Sequence, residues 1–519
     1  MLVVGLTVVI PIAFAFGLPL YSKIVKGNRA AISSYAILGS LITLILSALV
    51  AREAYISSKP LVYVFGKWVA PVGIVYEVDL LSAVIALVSA FLMFMIAIYS
   101  HQYLKHESGI EWYYTLYLGL EAGLMGVFYT GDAFNLFVMI EVTSIAAYGL
   151  VMFYRSRGDS VVAGLKYAII GSTATTVYFL AVIFIYATIG TLNMADIAAK
   201  VHGIPFAVSE IYYKDLAMTT GIGLTLATWA FLVKAAVFPN HFWLPEAHPA
   251  APTPISAVLS GLVVNVGVYS LLRFYTTLFR GTLDTGAEKV LGVLSTLLIL
   301  LGAFSAIFAA VMMNIQKDIK RLIAYSTIVH MGYITAAIGV GTALSVEASL
   351  YHIINHAISK ALMFLAAGVF IQMLGSRKID DLAGIAKKAP VTAFAFAVST
   401  FSLVGVPPMN VFYSKLLLYG AYVEYSVLLA LVLVISSIIA LIAYIRVLYK
   451  MLFERPTKEI KEREDTVMSL VCLVLAIVVI VTGILAPLLY QNVIKIAASQ
   501  ALDYTSYVNA IRDLIQRFF

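Results

Sequence analysis

Apolar residues in this chain come in long unbroken runs. Runs fall near 2–20, 31–51, 79–99, 112–130, 132–153, 162–189, 216–238, 253–273, 290–312, 321–340, 347–373, 390–420, 425–446 and 467–488, with polar or Gly/Pro breaks between them. A helix needs about 20 apolar residues to cross the hydrocarbon core. The runs are rich in Leu, Ala and Ile and lack the short alternating segments of a membrane barrel. The pattern predicts an all-α polytopic membrane protein with about 14 transmembrane helices. Residues 1–20 have no basic leader and no small-residue cleavage site, so they read as the first span rather than a removable signal. Residues 454–465 (ERPTKEIKERED) read as an exposed charged loop. Residues 490–519 alternate apolar and polar positions, which suggests a terminal amphipathic helix on the membrane surface or on a neighbour.

Composition sharpens this. The 519 residues are 62% hydrophobic and 12% charged, about half the charge of a soluble domain. A soluble enzyme and a disordered chain are both excluded, because neither could keep so much apolar surface from water. The net charge of +7 does not imply nucleic acid. Most loop lysines and arginines fall in odd-numbered connections, among them Lys23, Lys26, Arg29, Arg155, Arg157, Lys317, Arg377, Lys387, Lys450, Lys458 and Lys461. Even-numbered loops and the tail hold fewer, such as Arg52, Lys214, Arg273 and Arg517. That bias places odd loops in the cytoplasm of a cell-membrane protein and both termini outside. Cys472 is the single cysteine and forms no intrachain disulfide.

Three lysines sit inside apolar runs: Lys234, Lys360 and Lys415. Each costs roughly 2.5–3.5 kcal/mol near the bilayer centre, so such residues usually line a hydrated or ion-conducting interior. Glu141 and Glu121 are acids in equally apolar company. On one predicted helix His352, His356 and Lys360 recur at intervals of four and share a face, and His330 lies inside the preceding run. A pair of histidines so spaced can bind zinc, but no third ligand is near, and no metal is expected. Histidine titrates near neutral pH, so proton handling fits the set better; a buried histidine can equally do no more than satisfy a backbone carbonyl. Two runs carry breakers: FLVKAAVFPNHFWLPEAHPAAPTP around Lys234 with Pro239, and FSLVGVPPMNVFYSK before Lys415 with Pro407 and Pro408. Proline removes a backbone donor, and interrupted backbone at membrane depth is tolerated only inside protein or along a cavity. Broken helices in corresponding halves point to an ion or substrate path.

At these residues the sequence resembles the antiporter-like membrane subunits of respiratory complex I, Mrp-type Na+/H+ antiporters and membrane-bound hydrogenases or related reductases. The matching stretches are GDAFNLFVMIE (131–141), VKAAVFPNHFWLPEAHPAAPTPISAVLSG (233–261), DIKRLIAYSTIVHMGY (318–333), LYHIINHAISKALMFLAAG (350–368) and GVPPMNVFYSK (405–415). FNLF before Glu141 looks most like the D-type Mrp subunit and its archaeal hydrogenase counterparts. The resemblance implies two inverted five-helix repeats with broken helices 7 and 12. It divides the chain into an N-terminal three-helix segment (1–111), a first repeat (112–275), a second repeat (276–453), and a charged loop, helix 14 and C-terminal helix (454–519). By the same likeness, Glu141 sets the proton affinity of Lys234, and His330, His352, His356 and Lys360 connect to a terminal site at Lys415. Asn265 stands where many relatives carry a bridging lysine, and Glu121 fits no family position; both are secondary relay candidates. Glu246, His241 and His248 match the loop after the seventh helix, where they relay or merely hold the loop. Lys166, Lys320 and Arg321 read as interfacial anchors.

The expected function is proton translocation within a multisubunit energy-converting membrane complex. Partners would be other membrane subunits, with peripheral redox subunits or other Mrp subunits beside them. No cofactor is expected in this chain, and redox chemistry would belong to the partners. Which parent complex it serves, and whether Na+ passes through it, stay open. A stand-alone secondary transporter of a small solute, or a structural subunit with an inactive first half-channel, are the alternatives.

Overall fold

The computed structural model describes residues 2–57, 59–204, 215–282, 284–456 and 463–518. Lys214, Lys458 and Lys461, and the middle of the charged 454–465 stretch, lie outside the described residues, as does the Arg517 side chain. The chain runs α1 (Leu2–Ile24), α2 (Arg29–Ser57), strands β1 (Leu61–Val64) and β2 (Val75–Val78), α3 (Leu80–Tyr103), α4 (Ile110–Tyr129), α5 (Ala133–Val151) and α6 (Gly158–Ile189). A short α7 (Met194–Val201) follows, then α8 (Leu216–Lys234), α9 (Trp243–Ala250), α10 (Thr253–Leu278), α11 (Thr285–Ile315), α12 (Ile319–Val340) and α13 (Ala343–Leu374). The last elements are α14 (Pro390–Val404), α15 (Asn410–Tyr425), α16 (Val427–Phe453), α17 (Thr466–Ile484), α18 (Lys495–Leu502) and α19 (Tyr504–Phe518).

Twelve helices among the described residues are long and apolar enough to cross a membrane singly. α14 and α15 are the short pieces on either side of a break, and α4 carries Glu121 among tyrosines. The helix starts follow local chemistry. Asp79, Asp132, Asp284, Asp318 and Asp465 each accept a backbone N–H at the start of the helix that follows, satisfying donors that a first turn leaves free.

Burial sorts the helices into an inner and an outer set. The apolar window of α10 is 100% buried and that of α12 89%, against 33% for α11, so the helices carrying the polar residues are central. α11 and α12 cross at glycines. A Cβ on Gly302 would lie 2.5 Å from the Gly332 carbonyl oxygen, and one on Gly332 2.6 Å from that of Gly302; only glycine lets these backbones meet.

The connections gather on two faces. On one, β1 and β2 form an antiparallel hairpin, Tyr76 bridges to Thr130, and Asp132 bridges to Asn193. The chain end closes on this face: Thr277 donates to the Ala501 carbonyl at 2.9 Å, Leu80 N–H to Gln500 Oε1 at 2.9 Å, and Tyr504 stacks on His202 at 3.7 Å. α19 buries Tyr507, Val508, Ile511 and Ile515 against α7 and β1. The amphipathic tail therefore packs on its own chain rather than on lipid. On the opposite face Asp318 bridges to Lys378, and Arg377 pairs with Asp318 at 3.0 Å.

Candidate functional site

α8 ends at Lys234, and the chain turns through residues 235–242, which include Pro239, before α9. Trp243 Nε1 donates to the Val233 carbonyl at 3.0 Å, and its ring stacks on Tyr167 at 4.1 Å, which fixes α9 against the end of α8. Lys234 is buried. Its Nζ donates to Ser144 Oγ at 2.8 Å, the Gly171 carbonyl at 3.1 Å and the Tyr148 hydroxyl at 3.3 Å. Glycine is required at 171, because a Cβ there would lie 1.9 Å from the Tyr148 hydroxyl. Glu141 sits one helical turn before Ser144 and is only partly buried. It acts on Lys234 through space, with no direct ion pair between them among the described residues. Neutral oxygens hold the ammonium directly, and Glu141 acts on it from a distance.

The second break lies between α14 and α15 and contains Gly405, Pro407 and Pro408. Asn410 Oδ1 organises it, accepting from Ser402 Oγ at 2.6 Å and Ser359 Oγ at 3.1 Å. Lys415, also buried, donates to the Val404 carbonyl at 2.9 Å and Ser437 Oγ at 3.1 Å, with its Nζ 5.5 Å from the centre of the Tyr333 ring. Its neighbour Ser414 lies 3.0 Å from His352 Nδ1, and His352 Nε2 lies 2.9 Å from His330 Nδ1. The His356 ring is 5.2 Å from that of His330, and neither of its nitrogens has a partner. Lys360 is hydrogen-bonded to Ser326 Oγ and to the Ile323 carbonyl, and Ser326 to the Tyr444 hydroxyl. His330, His352 and Ser414 thus join into one hydrogen-bonded line that stops one residue short of Lys415, with Ser326 of α12 and Lys360 of α13 beside it.

Between this line and Lys234 the described residues give no continuous hydrogen-bonded chain. Asn265 Nδ2 donates to Gly261 in its own helix at 2.7 Å, and its Oδ1 is unpartnered. Ser260 Oγ and Thr327 Oγ1, 2.6 Å apart, link α10 to α12 one turn from His330.

Several buried groups were missed or misread from sequence. Lys320, expected to be an interfacial anchor, is 2% exposed and donates to the Ala251 carbonyl at 2.8 Å. It lines a cavity of about 740 Å³ with Glu107, Arg157, Asp159, Asp318 and Arg377. A basic residue in the first turn of a helix opposes the helix dipole, a hint that its place is set by something other than the interface. His248 is fully buried with neither nitrogen partnered, stacks on Phe364 at 4.6 Å, and has Lys320 and Lys360 as charged neighbours. Glu246, by contrast, faces outward and pairs with Lys166 at 2.8 Å. Arg273, read as a loop cation, is buried in α10 and grips Asp79 with two nitrogens at 2.7 and 2.8 Å. Glu77 is buried beside that pair with neither oxygen hydrogen-bonded. At Asp79, burial acts to raise the carboxyl, but Arg273 and the hydrogen bonds from Arg273 and Ser82 outweigh it and hold it below the usual value. Glu77 is held well above its usual value by burial, with the Arg273 charge opposing.

Interrupted helices with buried cations at the breaks, inside a helical membrane body, define a polytopic membrane protein with a polar interior. Residues 130–440 match the family model described as NADH:quinone oxidoreductase/Mrp antiporter, TM, and residues 69–114 match that of NADH-Ubiquinone oxidoreductase (complex I), chain 5 N-terminus. The chain belongs to this antiporter-like membrane subunit family. It is 32% identical over 483 residues to NADH-quinone oxidoreductase subunit N of Desulforudis audaxviator, covering 89% of this chain and 92% of that protein. It is 29% identical to the D-type subunit of the Na(+)/H(+) antiporter of Alkalihalophilus pseudofirmus over 98% of both. Among solved structures, a chain of the membrane-bound sulfane sulfur reductase, an archaeal respiratory membrane complex, matches with a TM-score of 0.89 and 30% identity over 98% of this chain and 100% of that one. A chain of the Mrp complex from Dietzia sp. shares the fold with a TM-score of 0.87 at 22% identity, again over 98% and 100%.

Proposed function

We propose that this subunit carries protons along the membrane plane, from Lys234 by way of His330, His352 and Ser414 to Lys415, within a multisubunit energy-converting complex. The observation that carries the reading is the hydrogen-bonded series His330–His352–Ser414 ending beside Lys415, buried where charge is costly. Lys234 is the switch. A carboxylate within about 4–6 Å favours the charged form of a base, by 1–3 pKa units, so a small movement of Glu141 against α8 changes how tightly Lys234 keeps its proton. His356 and Lys360 flank the line, and water bridges the interval past Asn265 and Thr327. The cavity at Lys320, with His248 behind it, supplies access from the face rich in basic loops.

The same reading takes the chain as fourteen crossings, with 112–275 and 276–453 as inverted five-helix repeats after 1–111 and before 454–519. It places the cavity face in the cytoplasm and both termini outside the cell membrane. Other membrane subunits are the partners, as in the reductase and Mrp assemblies it resembles. A second reading, a subunit whose first half is inactive, is favoured by the Asn265 side chain, which is turned to its own helix and bridges nothing. The test is proton transport by the reconstituted complex carrying Lys234→Ala or Lys415→Ala. Each is expected to cut proton transfer at least tenfold, about 1.4 kcal/mol in barrier. Wild-type stoichiometry in both would sink the assignment. Loss in Lys415→Ala alone would select the second reading.

A further inference from the structure

Away from the lysine axis, α2 and α4 bury another set of polar side chains. Ser33, Ser40 and Ser47 recur every seven residues on α2 and are all buried. Each meets α4 in the same register. Ser33 reaches the Tyr114 hydroxyl, Ser40 Oγ donates to Glu121 Oε2 at 2.6 Å, and Ser47 Oγ lies 3.6 Å from Met125 Sδ and reaches Tyr129. Both helices therefore ascend together, and the line crosses the thickness of the molecule. At the hairpin face it ends near Glu77, whose Oε2 would be 3.3 Å from a Cβ on Gly131.

Small serines explain close packing; they do not explain the acid. Glu121 is fully buried, and its second oxygen, Oε1, has no hydrogen-bond partner. Both Glu77 oxygens, at the end of the line, are also buried and without a hydrogen bond. A buried carboxyl oxygen without a partner needs an explanation, and a catalytic role is one. No cluster of ligands able to hold a metal ion is present among the described residues, and the species a lone carboxylate is suited to take is the proton. Tyr117, one turn away on α4, is the titratable neighbour of Glu121, and among the described residues no charged side chain of α1, α2, α3 or α5 acts on it. Two residues along a helix turn about 200°, so Glu121 points away from Gly123, which abuts Thr143 of α5. It is thus on the far side of α4 from the Lys234 site.

We propose that Glu121 is a proton-exchange site on a transverse line of its own, reached from the hairpin face past Ser47 and Tyr129 and separate from the lysine axis. A proton from water forms an O–H bond on the Glu121 carboxylate and leaves by the same route; nothing is oxidised or reduced. The test is labelling of the intact complex in liposomes with dicyclohexylcarbodiimide, a membrane-soluble reagent that adds to a carboxyl group together with its proton, and location of the adduct by mass spectrometry. The expected result is an adduct at Glu121 that falls several-fold from mildly acidic to alkaline buffer, is indifferent to exchanging K+ for Na+, and is absent in Glu121→Gln. Ser40→Ala, which keeps the helix contact, displaces the midpoint of that profile, and Lys234→Ala leaves it unchanged. No adduct at any pH, suppression by Na+, or a Ser40→Ala profile identical to wild type would each overturn the proposal. Loss of the profile in Lys234→Ala would place Glu121 on the lysine axis and overturn its separateness, whereas failure of the lysine relay leaves the expected labelling intact.

Discussion

Buried charges are held in two opposite ways in this molecule. At the hairpin face, Arg273 and Asp79 form a two-pronged ion pair with both partners almost fully buried. In the membrane interior, the hydrogen-bond partners of Lys234, Lys415 and Lys360 among the described residues are hydroxyls and backbone carbonyls. A charge clasped by its opposite cannot lose its proton cheaply, and its role is to hold the fold. A lysine resting on neutral oxygens has no directly bonded counter-ion that pins it charged. On the proposed reading, the contrast separates residues that keep the structure from residues able to cycle.

The largest expected effect comes from breaking the clasp. Arg273→Ala strands a buried carboxylate and should destabilise the chain by about 3–5 kcal/mol, seen as loss of folded protein in a detergent melting series. If Arg273→Ala melts like wild type, the clasp is not structural and the contrast fails. Lys415→Met should do the reverse: about wild-type melting, because a costly buried cation is replaced by an apolar chain of similar shape, with proton transport reduced at least tenfold. His352→Ala removes both hydrogen bonds of the line and should approach the same loss while leaving Lys234 untouched. Asn265→Lys is a smaller change. If the interval after Lys234 limits flow, transport should rise by about two- to threefold, roughly 0.5 kcal/mol in barrier; an unchanged rate means water already carries the proton there.

The smallest effect is in the pH dependence of the hairpin face. Asp79 is held low, so its contribution is present above the unfolded carboxylate range near pH 3.9 and lost as pH falls through the folded value. Glu77 is held high, so its contribution is present in acid and lost as pH rises from about 4.3 toward its folded value. Glu77→Gln should therefore flatten the alkaline side of the stability profile and raise the melting temperature at about pH 8 by on the order of 2 °C. A lowered melting temperature there would mean that Glu77 is charged and paired.

Much of this was legible in the chain. Long apolar runs have few alternatives to helices, and the Asp caps fall where the runs begin. Lys234, Lys360, Lys415 and the histidines stood out because they are costly where they lie. Their partners did not: Ser144, Tyr148 and Gly171 reach Lys234 from helices far back in the chain, and nothing local marks them. The hairpin was missed because strands of four residues, split by Gly66, Pro71 and Gly73, give no usable alternation. Arg273 and Lys320 were misread for a shared reason. Both sit near helix ends, where a long cation is expected to reach water, and only packing from distant elements reveals that it cannot.

The tail's grip on the hairpin face also orders the molecule in time. Gln500, Ala501 and Tyr504 complete contacts for Leu80, Thr277 and His202, which a ribosome has delivered hundreds of residues earlier. During synthesis that surface stays unfinished until residues 500–504 emerge, so the hairpin face sets late. A bulky fusion placed against α19 would hinder that late seating more than one on the opposite face, beside Asp318 and Arg377.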